Sequence, residues 1–341
     1  MPPAAGVDGG KRRDSLSRHS VDRRAVDRFI INILEEPNAP KLQPSHAPLL
    51  PAVDITAGAP SCTTAAFRRL SEGKHPASQL QRSYAMPSEV EIPTVGLMGF
   101  GAFGQLIATH LHSRLPLLVY DPITPQITAT LRSRVRVGDL ATVARCDVVI
   151  LAVPVSELES AIKNLRPYLR PGTIVVDVGS VKMKPAKVME AQLPHFVDIV
   201  GTHPLFGPQS ARNGIQGRKI AVCPVRGNGA QRVAAFLRRT LGLRVYITTP
   251  EKHDRDAAVV QGVTHLIAKV LVRMEPLPKR LTTASFDLLM QAIEMVRHDA
   301  ASVFLAIEQE NPYAAAIRER FFCLAEEAKA ELEKPLLPTA E

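Results

Sequence analysis

The chain is poor in aromatic residues, 5% of 341, and has no tryptophan. Lysine and arginine outnumber the acids 42 to 33, but the basic residues are scattered rather than clustered with aromatics. Nucleic acid is therefore not an expected partner, and the net charge of +9 points instead to small anionic substrates. Cysteine is scarce. Cys62, Cys146, Cys223 and Cys323 stand far apart, without a C-x-x-C pair or a nearby histidine at ligand spacing. Buried free thiols are expected, with neither a disulfide framework nor a metal site. No apolar run approaches the roughly 18 residues needed to cross a bilayer, so no membrane partner is expected.

Residues 1–90 lack sustained apolar periodicity, and Pro, Ser, Ala and Arg dominate them. Val21–Glu36 is a candidate short helix, and Phe29–Leu34 is too short for a signal-peptide core. Residues 1–85 carry 12 Lys/Arg against 8 Asp/Glu, an acid content that argues against a transit peptide. The region reads as a disordered extension, with Met86 a candidate start of the functional chain. The expected location is the cytoplasm, or a plastid should the extension be a transit peptide.

Thr94–Gln105, TVGLMGFGAFGQ, organises the rest of the chain. An apolar run, Val95–Met98, leads into Gly99-Phe100-Gly101-Ala102-Phe103-Gly104 and then a helical pattern. Strand, tight turn and helix in this order suit a dinucleotide pyrophosphate at a helix N-terminus. Gly99 allows the turn, Gly101 leaves room for phosphate, and Gly104 lets helix and strand pack closely. The next apolar run, Leu117–Tyr120, ends in Asp121, 20 residues after Gly101. A carboxylate there accepts from ribose hydroxyls and repels a 2′-phosphate, so NAD is expected over NADP.

Apolar runs recur at 147–153, 173–178, 196–202 and 219–225, with helical segments between several of them. Continuous Val/Ile runs predict parallel strands covered on both faces. After Leu243–Thr248 the period changes. Thr249 and Pro250 fit the cap and first position of a helix running from Glu251 to about Met274. Further helices are expected over Phe286 to about Val296, from Asp299 towards Glu310, and after Asn311-Pro312. Their apolar stripes need a covering surface, and a homodimer is predicted.

Ligands of open parallel sheets bind beyond the carboxyl ends of the strands. The fourth strand ends in Val153-Pro154, a shape that can lie against a nicotinamide. The fifth ends in Gly179-Ser180-Val181-Lys182, and the sixth in Gly201-Thr202-His203-Pro204. His203 is the candidate base for a substrate hydroxyl, and Ser180 the hydroxyl that holds the substrate or the imidazole. Asp254, Ala258, Gln261 and His265 share one helical face and suggest a lined pocket.

From about Thr94 to Leu332 the chain resembles the prephenate/arogenate dehydrogenases of tyrosine biosynthesis. The likeness rests on GFGAFG at Gly99–Gly104, VGSVK at Val178–Lys182, GTHPLFGP at Gly201–Pro208 and HDRDAAVVQGVTHLIAKVL at His253–Leu271. It implies an α/β fold, a Rossmann dinucleotide-binding domain (91–249) followed by an all-helical dimerisation domain (250–341). It further implies that His203 is the catalytic base, Ser180 its hydrogen-bonding partner and His265 a substrate-pocket residue. The implied reaction removes a hydroxyl proton, passes hydride to NAD and releases carbon dioxide as the ring aromatises.

Gln209 stands where many members have glutamate, and Glu294 where prephenate-using members have an arginine that binds a substrate carboxylate. Lys182, Arg212 and Arg297 are candidates to replace that arginine. The pattern favours arogenate over prephenate. Two rivals remain: a β-hydroxyacid-type dehydrogenase using Lys269, and a nucleotide-sensing module without turnover.

Overall fold

The computed structural model describes residues 94–123 and 125–334. The N-terminal extension, including Val21–Glu36, lies outside the described residues. The strands are β1 (Val95–Met98), β2 (Leu117–Tyr120), β3 (Val135–Val137), β4 (Val148–Leu151), β5 (Ile174–Asp177), β6 (Asp198–Pro204), β7 (Lys219–Arg226) and β8 (Arg244–Ile247). They form one sheet in the order β3-β2-β1-β4-β5-β6-β7-β8. The order reverses between β1 and β4, where Val95 faces Leu117 on one side and Val148 on the other.

The strand sequences explain this placement. β1, β4 and β5 are apolar at nearly every position, as strands covered on both faces must be. Val149 and Leu151 of β4 point into one core with Leu158, Ile162 and Leu165 of α3 (Leu158–Leu165) and Met189 of α4 (Met183–Gln192). Val148 and Ile150 point the other way, beside the core formed with α1 (Ala102–Leu111). Asp139 caps α2 (Leu140–Ala144), its Oδ1 accepting from Thr142 N at 2.7 Å. α5 (Gly229–Arg239) packs over β6, β7 and β8.

Two differences from expectation matter. β7 runs antiparallel to β6, because the chain returns through the loop 205–218 without a crossover helix. β6 also extends two residues further than its apolar run. His203 therefore sits within the strand, paired with Ala221, rather than in a loop beyond it.

Thr249 does cap the first helix of the second half, its hydroxyl accepting from Lys252 N at 3.2 Å. The run expected as one helix is divided, however. α6 (Pro250–Ala257) passes through a π-helical turn, Ala258–Gly262, into α7 (Val263–Arg273). The wider turn shifts the helical phase, so Asp254 does not share a pocket face with Gln261 and His265. Asp254 instead faces the start of α4 and is fully buried. α8 (Ala284–Glu294), the short α9 (Ala301–Leu305), a second π-helical turn at Ala306–Glu310 and α10 (Ala314–Leu332) complete the described chain.

Close packing of α1 on β1 depends on Gly104. A Cβ added there would lie 2.2 Å from the Gly99 carbonyl oxygen, which is backbone and cannot swing aside. Gly104→Ala is expected to destabilise the fold by about 1–3 kcal/mol through overpacking. Urea unfolding of the variant beside the parent chain measures this.

Candidate active site

Gly99 takes a φ of +99°, and a Cβ there would meet the Ala152 carbonyl oxygen at 2.4 Å. This turn aims the first N–H groups of α1 outward, with no side-chain cap and no acid in the first turn. Gly101 faces open space, where an added Cβ would meet nothing within 4 Å. Free N–H groups, a helix N-terminus and an open approach fit a pyrophosphate. Asp121 braces this loop from the end of β2. Its Oδ2 accepts from Phe100 N at 2.6 Å and its Oδ1 from Ile123 N at 2.8 Å.

A cleft of about 690 Å³ runs from this loop to the helical half. Gly101, Ala102, Phe103, Val153, Pro154, Ser180, His203, Gln209, Gln261 and His265 all line it. Gly99, Gly104 and Asp121 lie behind that wall. So do two of the residues expected to bind substrate. Lys182 is buried and its ammonium is paired with Asp177. Arg297 is held by Glu275 at 2.9 Å and Glu294 at 3.0 Å. Arg212 bonds back to the Gln209 carbonyl at 3.0 Å. Lys269, the lysine of the β-hydroxyacid rival, lies 4.9 Å over the Phe304 ring and is absent from the cleft wall. A separate cavity of about 170 Å³ between α1 and α5 is walled almost wholly by hydrocarbon, with little to orient a polar ligand.

Sequence reasoning missed the partners of His203. Its Nδ1 lies 2.8 Å from Nε2 of His253, and His253 Nδ1 lies 2.8 Å from Oδ1 of Asp254. All three residues are buried. The Asp254 carboxylate also accepts from Lys182 N at 2.7 Å and Met183 N at 2.8 Å. Because that carboxylate can only accept, a neutral His253 carries its proton on Nδ1 and presents a lone pair at Nε2. His203 must then donate from Nδ1, which leaves its Nε2 unprotonated. Gln261 Nε2 approaches that lone pair at 3.3 Å, while its Oε1 is buried without a partner among the described residues.

Burial pushes the His203 pKa well below the usual range, and the Lys182 ammonium adds to the effect. The ring is therefore a neutral base. Ser180 shares the cleft wall, but the side-chain partners of His203 are His253 and Gln261. Asp299 and Arg218 also line the cleft and had no signal in the sequence. Asp299 Oδ2 lies 3.3 Å from His265 Nε2, and Arg218 is held through Nε by the Gly214 carbonyl at 3.0 Å.

Comparison with known proteins places the chain in a family. Residues 120–246 match the family described as prephenate dehydrogenase, nucleotide-binding domain. The chain is 31% identical over 272 residues to arogenate dehydrogenase 2, chloroplastic, of Arabidopsis thaliana, covering 75% of this chain and 73% of that enzyme. A probable arogenate/prephenate dehydrogenase of Methanocaldococcus jannaschii is 28% identical over 51% of this chain and 41% of its own length. Among solved structures, the prephenate dehydrogenase of A. aeolicus in complex with hydroxyphenyl propionate and NAD+ superposes with a TM-score of 0.54. It is 21% identical and covers 72% of this chain and 92% of that one. Synechocystis arogenate dehydrogenase gives a TM-score of 0.53 at 19% identity, covering 70% and 91%. Both share the α/β nucleotide-binding architecture.

Neutral burial of His203 has a consequence for stability. An unfolded chain takes up this proton below about pH 6.5, whereas the folded chain resists it. Stability is therefore expected to fall as pH drops from 7 towards 5, and His203→Gln should flatten that fall. Denaturant midpoints measured across this range test the sign.

Proposed function

The chain belongs to the prephenate/arogenate dehydrogenase family, and on that premise we propose that it oxidises and decarboxylates arogenate in preference to prephenate, with NAD as cofactor, in tyrosine biosynthesis. The observation that carries this reading is the buried His203, bonded at 2.8 Å to His253, in a cleft that begins at a glycine loop suited to pyrophosphate. NAD, when bound, supplies the acceptor for a hydride. Gly101, Ala102 and Phe103 would hold its phosphates, and Val153 and Pro154 would lie against the nicotinamide.

His203 takes the proton of the substrate hydroxyl at Nε2 as the carbinol carbon is oxidised to a ketone. Gln261 and Ser180 orient the hydroxyl within the cleft. Loss of the ring carboxyl as carbon dioxide leaves its electron pair in the ring, which becomes a phenolate and is reprotonated from the proton held at His203. Arogenate gives tyrosine and prephenate gives 4-hydroxyphenylpyruvate. Gln209 and His265 line the substrate end.

Substrate choice rests on charge. Asp299 is a carboxylate in the cleft wall, beside His265. The side chain of arogenate carries an ammonium that a carboxylate attracts, whereas that of prephenate carries a ketone that gains nothing from it. Arg218 is the Lys/Arg side chain of this wall among the described residues. It supplies positive charge for a substrate carboxylate in place of Lys182, Arg212 and Arg297.

A homodimer through the helical half completes the proposal. Leu288, Leu324 and Leu332 stand 65%, 52% and 87% exposed on its helices, and a second copy would cover them. No helix among the described residues is long and apolar enough to cross a membrane.

The decisive assay monitors NADH formation by the full chain with arogenate or prephenate, and with NAD or NADP. Turnover of arogenate with NAD is expected, and no turnover of either substrate by folded protein would overturn the reading. In the same assay, Asp299→Asn is expected to lower kcat/KM for arogenate about tenfold or more, a loss of roughly 1.4 kcal/mol, while leaving prephenate turnover equal or higher. Equal losses on both substrates would remove Asp299 from substrate choice.

A further inference from the structure

We propose that His253 and Asp254 form a buried relay that carries the proton charge away from His203 during turnover, His253 acting as a positioning residue that also accepts the Nδ1 proton of His203. The proposal rests on the functional reading above for its substrate, but its geometry stands by itself. Three buried groups lie in line, with 2.8 Å between His203 and His253 and 2.8 Å between His253 and Asp254. The carboxylate at the far end is immobilised by two backbone N–H groups at the start of α4.

The atoms balance within the chain. The substrate O–H bond breaks and its proton joins His203 Nε2. The Nδ1–H bond of His203 breaks and that proton joins His253 Nε2. His253 keeps its Nδ1 proton against Asp254. The positive charge then rests on an imidazolium in contact with a carboxylate, rather than on the ring facing the cleft. Reversal of the same shifts returns the proton to the product phenolate, so no outside acid is needed.

The groups that face His203 fit this division of labour. On the α6 side are His253 and Asp254. From β5 and the turn after it come Asp177 and Lys182, already paired with each other. Cys223 of β7 is buried beside that pair, its thiol pushed up to about 12 chiefly by burial. Across the cleft are His265 and Asp299, also in contact with each other. The Asp254–His253 line thus joins the Nδ1 side of His203 to a carboxylate through two short hydrogen bonds.

Two measurements test the relay. The first is ¹⁵N histidine NMR of the full chain at neutral pH, which reads each ring's tautomer without any substrate. His203 and His253 are both expected to carry the proton on Nδ1, and an Nε2-protonated His203 would overturn the relay. The second is the pH profile of His253→Gln. Its kcat should fall ten- to a hundredfold while KM for substrate and NAD changes less than threefold. The acidic limb of kcat/KM should move to lower pH, because the ring that takes up the proton charge from His203 is gone. An unmoved limb with normal kcat would overturn the relay. Loss of both kcat and folding would be judged on the tautomer result, which stands without activity. Should the parent chain turn over neither substrate, the functional reading fails while the NMR result still decides the relay.

Discussion

The structure depends on one carboxylate held against the start of one helix. α4 has no side-chain cap of its own, and its first N–H groups would be buried without partners. Asp254, 72 residues later, accepts from two of them. Each buried, unpaired N–H costs about 1–3 kcal/mol, so the contact fixes where the helical half sits on the sheet. The positive end of the helix in turn favours the anion. Asn311, at the start of the last helical segment, donates to the main-chain oxygen of Asp254 at 2.7 Å and ties a third segment to the same residue.

From this anchor the site assembles in both directions. His203 belongs to β6 and is held in register by its ladder partner Ala221. His253 belongs to α6 and is held by Asp254. The proposed base thus comes from the sheet and the group that orients it from the helical half. Neither half presents a competent base alone, because an imidazole without its Nδ1 partner is free to choose either tautomer. Placing the cleft at the seam also lets one wall grip a nucleotide while the other selects the substrate. Loop sequence on one side and helix sequence on the other can then vary separately.

What was legible in the sequence was local. Gly99 to Gly104 declared the turn because strand, glycines and helix are contiguous, and Thr249-Pro250 declared a helix start for the same reason. His203 stood out at a strand end beside other polar groups. What was not legible required partners distant in sequence. The reversed direction of β7 arises from a return loop with no periodic signature. Lys182 reads as a ligand because a cation comes after a strand, yet Asp177, hidden inside an apolar run, pairs with it. The π-helical turn at Ala258–Gly262 leaves no trace in the spacing, so regular periodicity puts Asp254 with Gln261 and His265, whereas it faces the start of α4. Its neighbour His253 opens one of the motifs that carry the resemblance, but nothing there assigned it a role, because its role rests on two contacts made after folding.

The electrostatics around His203 resolve an apparent conflict. A general base should bind a proton well, yet burial and the Lys182 ammonium hold this ring neutral. A base that was strong at rest would be occupied by a solvent proton before substrate arrived. Lys182 does not oppose catalysis without limit, since its charge is paired with Asp177 at close range and acts on His203 only as a residual field. Asp254, by contrast, acts through the ring of His253, and its influence grows only when a proton is shifted along that line. The site therefore keeps the imidazole unprotonated. Burial, which makes the resting ring a poor proton acceptor, is also what makes the carboxylate at the end of the line effective, because few competing dipoles screen it.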